Sequence, residues 1–525
     1  MRRWSCLSVL AACLGLIACS PGGGAEPGNA RRGGSVVVGI AAPPDSLDPA
    51  LASSPEALQA LWLVHTAPVT YRRAQGAAGT ELVPGLARAL PEASQDGLTY
   101  RFTFRSGLRY STGRRLRASD FERGIERALR LSPRRALELF GDIAGARDYA
   151  CGRVDVAGAE IEGISANGRT GEVRIDLVRP DPAFPETLAS PAAAPVPVGT
   201  PLRERSDDPP AGIGPYAVAR PRGRAAFTLV RVRSFELDGV PAGNVDKIGG
   251  RVIADAGARA RAALEGRVDV MEGRPPRELL PEIRGENQRR YREDATLAVS
   301  YLALDSSRPP FDELDLRRAV ALALDEATLA RLRDGFLAPS CNMLAPQVPG
   351  YRALAPCPFG EREGNSDLQG ARELVQDGEQ SANTIAPVLV RGPADPGGAT
   401  LARYLVSTLR SIGLQARVAV TPAERAGAQV SFERRLPRTP HPARYLDAVQ
   451  DPVFAVRVAL LELDGPATDA AAEWAELDRE AVESARVAPY GVETIGTLSS
   501  ERLDATNCSR VHAVYGLDWS SLCLR

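Results

Sequence analysis

One lysine, Lys247, stands among 64 basic residues in a chain of 525. Near-exclusive arginine fits a GC-rich genome. Basic and acidic residues almost balance, at 64 and 65, so no excess positive charge points to a nucleic-acid partner. Aromatic residues make up only 5%. The three histidines, His65, His441 and His512, are far apart, and no CxxC occurs, so no metal-ligand spacing is visible. Gly-x-Ser-x-Gly and the phosphate-binding P-loop are both absent, and no nucleophile can be paired with a base. Nothing therefore reads as an enzyme, and no cofactor is implied. No apolar run reaches the roughly 18 residues of a membrane span.

What is present begins at the N-terminus. Arg2 and Arg3 precede an apolar run from Leu7 to Ile17, and Ala18 follows. Positive start, short apolar run and small residue make a secretory signal with a cleavage site. Leu16-Ile17-Ala18-Cys19 resembles the lipobox of bacterial lipoproteins, which implies removal of residues 1–18 and lipidation of Cys19. Two acyl chains suffice for stable anchoring. Cleavage leaves 507 of the 525 residues, and loss of Arg2 and Arg3 leaves 62 basic against 65 acidic residues, a net charge of −3. That length exceeds a single core and implies two or three domains. Residues 19–34, rich in Gly and Pro, read as a flexible tether.

Cys6 and Cys13 lie in the leader. Of the five cysteines outside the leader and Cys19, Cys341 and Cys357 are 16 apart, and Cys508 and Cys523 are 15 apart. Export permits disulfides, and each pair would close a short loop worth about 3 kcal/mol in the chain-entropy model. Cys151 is then left over.

Periodicity places strands at Ser35 to Ile40, Tyr100 to Arg105, Ala226 to Val232, Gly250 to Ala254 and Leu297 to Leu304. Helices are expected at Pro55 to Val64, Leu82 to Leu90, Asp312 to Leu324 and Thr400 to Ile412. Another should start at Ser119, with Glu122 completing a capping box. Asn167-Gly168 marks a hairpin. Pro180 to Pro215 reads as irregular.

Short segments then recur in a characteristic order. They are Gly33-Gly34-Ser35-Val36-Val37-Val38-Gly39, Asp45-Ser46-Leu47-Asp48-Pro49, Leu82-Val83-Pro84-Gly85-Leu86-Ala87 and Asp96-Gly97-Leu98-Thr99-Tyr100-Arg101-Phe102. Further on come Ala118-Ser119-Asp120-Phe121, Gly212-Ile213-Gly214-Pro215-Tyr216, Tyr301-Leu302-Ala303-Leu304 and the run from Arg317 to Asp325. In order and spacing over some 300 residues the chain resembles the family 5 extracellular solute-binding proteins, the peptide, dipeptide and nickel receptors of ABC importers.

The resemblance implies an α/β, two-lobed, periplasmic-binding-protein-like (type II) fold with an extra subdomain inserted in the first lobe. Residues 35–285 would form the first lobe, with the insertion at about 63–187. Residues 286–489 would form the second lobe, and 490–525 would return to complete the first. The implied protein is a monomeric, lipid-anchored extracytoplasmic receptor, in a periplasm or on the outer face of a single-membrane cell. Its partners are a small-molecule or oligopeptide ligand and an ABC permease. Ligand contacts are expected from Ser46, Leu47, Asp48, Gly214 and Tyr216 in the first lobe, and from Arg434, Arg435, Arg438 and Tyr445 in the second. Tyr216 also reads as a packed core aromatic, and Gly212 and Gly214 as positions needing unusual backbone angles.

One departure stands out. Many members carry Trp-x-x-Asp-Tyr-x-Asp-Pro in the second lobe, whose acids can meet a charged amine. The equivalent here, Phe432 to Leu446, holds Arg434, Arg435, Arg438 and Arg444, with only Glu433 acidic. If these arginines line the cleft, an anionic or carboxylate-bearing ligand is expected through Arg pairing; otherwise they are a solvated run. The alternative reading of the whole chain is a non-transport interaction or sensory lipoprotein on the same fold.

Cys19→Ser is expected to leave an uncleaved or unlipidated product. Metabolic labelling with a fatty-acid probe checks this, and a variant that still takes up lipid contradicts the assignment.

Overall fold

The computed structural model describes residues 32–525 apart from 154–159, 221–222, 224, 360–365, 379–386 and 396. The leader, Cys19 and most of the tether lie outside the described residues. Among those described, no helix is long and apolar enough to cross a membrane.

The fold is mixed α/β, organised by an eleven-stranded sheet. Its order runs Ala416–Val418, Val388–Arg391, Val430–Arg435, Tyr291–Leu304, Val487–Ser499, Val270–Gly273, Ser35–Ile40, Lys247–Val252, Phe227–Arg231, Tyr216–Ala219, and Leu337–Ala338 pairs with Val487–Ser499 off this path. Ser35–Ile40 is buried by its β-branched run and pairs in parallel with Lys247–Val252 and Val270–Gly273.

Two strands dominate. Tyr291–Leu304 has 14 residues and Val487–Ser499 has 13, and they pair antiparallel along their lengths. Tyr291 to Ala295 face Thr494 to Leu498; Val299 to Ala303 face Val487 to Val492. Between Ala295 and Val299 the register shifts. An irregularity of this kind bends a strand and leaves residues outside the ladder. On one side lies the sheet of the first lobe, on the other that of the second. The strands pass between the two at residues 296–298, where the register breaks.

A second sheet of four strands, Glu92–Ala93, Thr99–Thr103, Glu172–Asp176 and Ile164–Ala166, packs with the helix Ser119–Leu131 in the first lobe. Alternation in Thr99–Thr103 buries Tyr100 and Phe102 and exposes Arg101, as period two requires. The hairpin at Asn167-Gly168 joins its last two strands in sequence.

Three sequence expectations change. Leu82 to Leu90 is not a helix: Leu82–Pro84 is a strand paired with Val69–Tyr71, and Gly85, Leu86 and Ala87 donate to Pro68, Ala67 and Pro68 carbonyls. The backbone there finds partners across the chain rather than along it. The capping box at Ser119 is also absent. Ala118 is the N-cap, and Glu122 Oε1 accepts from the Ile161 amide at 3.2 Å. Gly212 and Gly214 are needed for space, not for angle. A Cβ would come 2.1 Å from the Val64 carbonyl oxygen at Gly212 and 2.4 Å from that of Leu63 at Gly214.

Both expected disulfides are present, Cys341–Cys357 and Cys508–Cys523, and Cys151 is unpaired and exposed.

The loop at Ser46-Leu47-Asp48-Pro49 is tied to the helix Ser119–Leu131 by an ion pair of Asp48 with Arg127, both fully buried. Asp48 Oδ1 also accepts from the Ala50 amide, and Ser46 Oγ accepts from the Asp48 amide at 3.0 Å. Removing one partner of a buried pair strands the other charge. Arg127→Met should therefore cost about 3–5 kcal/mol in urea unfolding. A loss below about 1 kcal/mol would show the pair to be no stronger than a surface one.

Candidate functional site

A cavity of about 770 Å³ opens where the two long strands change register. Ala295, Thr296, Leu297 and Ile495 form its floor at the crossing. The first lobe supplies Ser53, Gln59, Tyr71, Arg135, Glu186, Arg259 and Glu272, and the return segment supplies His512 to Gly516 with Trp519. The second lobe supplies Arg434 and Leu436 to Thr439. Clefts of this size between domains are preferred ligand sites.

The crossing is braced from both sides. Tyr445 is buried and its hydroxyl donates to the Leu297 carbonyl at 2.8 Å. Gln347 Nε2 donates to the Ala295 carbonyl at 2.7 Å, and Thr296 Oγ1 donates to the Glu493 carbonyl at 3.0 Å. These bonds satisfy backbone groups that the broken ladder leaves unpaired. The side chain of Glu493, buried at the same level, gathers three guanidinium groups. Arg274 of the first lobe lies at 2.9 Å, and Arg434 at 2.9 Å and Arg333 at 3.5 Å come from the second.

The four arginines of Phe432 to Leu446 part company. Arg434 and Arg438 line the cavity. Arg438 also pairs with Glu138 of the first lobe across the opening. Arg435 turns to Asp447 and to the Arg444 carbonyl, and Arg444 pairs with Glu462 at 2.5 Å. Neither of these two lines the cavity, since local carboxylates hold them. The cavity is accordingly mixed in charge rather than basic: three acids, Glu56, Glu186 and Glu272, share it with four arginines.

In the first lobe the structure draws a line between neighbours. Ser46, Leu47 and Asp48 do not line the cavity, because their polar atoms are spent on the loop itself, on Ser206 and on Arg127. Gly214 packs against the end of the helix Pro55–Val64. Tyr216 is wholly buried, its hydroxyl donating to the Val245 carbonyl at 2.9 Å, and Tyr445 is equally buried at the register break. Ser53 and Pro55, a few residues beyond the expected loop, do face the cavity.

The cavity acids went unnoticed in the sequence. Glu272 is half-buried and served: it accepts from Gln59 Nε2 at 2.7 Å and from the Leu517 amide at 3.1 Å. Glu186 differs. Its Oε2 is buried without a hydrogen-bond partner, as is the Tyr71 hydroxyl. One signal could have found it: Glu186 is the only charged residue between Asp181 and Arg203 in an apolar, Pro-rich run. Burial pushes its carboxyl up from 4.5 to about 7, against smaller opposing effects of Thr439 and Arg444.

Two α/β lobes thus wall a cleft of about 770 Å³ at the register break. The model of the bacterial extracellular solute-binding proteins, family 5, matches residues 81–457, and the chain belongs to that family. The oligopeptide-binding protein OppA of Bacillus subtilis (strain 168) is 23% identical over 397 residues, 72% of this chain and 69% of that protein. The glutathione-binding protein GsiB of Salmonella typhi is 21% identical over 341 residues, 64% of this chain, and the match spans 61% of GsiB. The unliganded open form of the periplasmic murein tripeptide binding protein MppA superposes with a TM-score of 0.80 at 17% identity, over 94% of this chain and 98% of that one. The relatives and structural neighbours are binding proteins, not enzymes.

Glu186 provides a test independent of any ligand. A carboxyl raised in the folded state penalises folding as it ionises, so the penalty grows as pH rises from about 4.5 to about 7. Glu186→Gln removes it. The melting temperature of the variant relative to wild type should therefore climb between about pH 5 and about pH 8. A difference that is flat with pH would contradict the raised value.

Proposed function

We propose that the protein is a lipid-anchored extracytoplasmic receptor that captures a short peptide or peptide-like solute between its lobes and delivers it to an ABC import permease. The cavity at the strand crossing carries this reading: both lobes wall it, and both approach it through the two strands that connect them. Family membership and the binding of oligopeptide, glutathione and murein tripeptide by the named relatives support it. The leader and Cys19 support the anchor.

Arg434 is the carboxylate partner in this reading. Its Nε is held by Glu493, which fixes the plane of the guanidinium, while the side chain remains half exposed on the cavity side. A planar fork oriented in this way suits a carboxylate. Arg438 is a less direct contact, being paired across the opening with Glu138.

Calorimetric titration with di- to pentapeptides tests the proposal. Binding is expected, with free C-terminal carboxylates preferred to amides. Arg434→Ala should weaken it about tenfold or more, the value of a charge-assisted hydrogen bond. Absence of binding by every peptide, in protein shown to be folded, would contradict the receptor reading and favour the non-transport lipoprotein.

A further inference from the structure

The interior of the cavity holds a polar feature that the carboxylate site does not use. Glu186 sits in the turn Phe184–Thr187 of the first lobe, and Tyr71 ends the strand Val69–Tyr71. Both line the cavity, and they lie close enough for the charge of Glu186 to act on the Tyr71 hydroxyl. Glu186 Oε2 and Tyr71 Oη are each buried with no hydrogen-bond partner. The neighbouring phenol, Tyr515, is already committed, donating to the Ala189 carbonyl at 3.1 Å. Of the other two acids of the cavity, Glu272 has its donors as described, and Glu56, at the start of the helix Pro55–Val64, is partly exposed and has no buried unpaired oxygen. Two unpaired oxygens, one an acceptor and one able to accept or donate, thus stand in the same wall, while Thr439 hydrogen-bonds to the Glu186 carboxyl and leaves Oε2 without a partner.

Leaving such atoms buried and unpaired is costly, about 1–3 kcal/mol each and more for a charged group. A fold keeps them where something else supplies the partner. An ammonium group answers the need: it carries three donors and a positive charge. Arg444, the cation nearest in charge terms from the second lobe, is itself taken by Glu462.

We propose that Glu186 and Tyr71 form a subsite for the ammonium group of the ligand, so that a zwitterionic solute lies with its amino end against the first lobe and its carboxylate at Arg434 of the second. This rests on the peptide-receptor reading above. It places the amine partner in the lobe opposite to the Arg-rich segment, whose sequence has no acid suited to the task. It also gives each lobe one pole of the ligand, so that only a molecule with both charges engages both.

The test compares L-trialanine with N-acetyl-L-trialanine, titrated calorimetrically into the exported protein and into Glu186→Gln and Tyr71→Phe variants whose folding is verified by thermal melting. N-acetylation should weaken binding to wild type about tenfold or more, and Glu186→Gln should weaken trialanine by a similar factor. The Gln variant should bind the acetylated peptide within about twofold of wild type, and Tyr71→Phe should lose a few-fold for the free amine only. Equal binding of the two peptides by wild type overturns the subsite while leaving the receptor reading intact. So does a Glu186→Gln protein that keeps the full preference. If the Gln variant does not fold, Tyr71→Phe decides: an unchanged preference there overturns the proposal. Binding of neither peptide by folded wild type overturns both the subsite and the receptor reading.

Discussion

Two strands belong to both lobes, and everything functional in the molecule depends on how they are joined. Tyr291–Leu304 and Val487–Ser499 pair well at each end and lose register in the middle, where Thr296, Leu297 and Ala298 interrupt the ladder. Backbone groups freed there are taken up by side chains, with Tyr445 on Leu297 and Gln347 on Ala295. In the proposed receptor this braced break is the hinge, fixed in position by those bonds. Closure about such an element is a small set of backbone rotations at a fixed site, with the lobes moving as packed bodies. The cavity lies against the break, so a ligand that touches both walls biases the hinge directly.

Charge is disposed around that hinge with some economy. Glu493, buried in one of the two strands, meets Arg274 from the first lobe and Arg333 and Arg434 from the second. A buried carboxylate is tolerable only when paired, and here its partners come from both sides of the crossing. Arg434 thereby acquires a fixed orientation toward the cavity. Glu186 lacks such partners, and burial raises its carboxyl accordingly. The contrast between a saturated acid at the hinge and an unsaturated one in the wall separates structural from ligand-facing charge more clearly than exposure does.

Much of the fold was legible in the sequence. Ser35–Ile40 and Pro55–Val64 were placed to the residue, since a β-branched run and an apolar helical face leave little choice. The paired cysteines were readable because short loops in an exported chain have few other partners. Leu82 to Leu90 misled because its local spacing suits a helix, while its backbone partners are residues 67–71 and Thr103. The site was harder. Asp48 and Tyr216 looked functional as parts of recurring segments, but one is held by Arg127 and the other by Val245. The arginines of the second lobe could not be sorted from sequence, because Asp447 and Glu462 decide which of them turn away. Glu186 sat in a stretch without periodicity, where the isolated charge was the only clue.

The central claim is that the lobes close about the crossing when a ligand spans them. Small-angle X-ray scattering of the protein with and without a peptide shown by calorimetry to bind tests it most directly. The account predicts a smaller radius of gyration in the bound state, with no change in molecular mass. An unchanged radius at saturating peptide would contradict it.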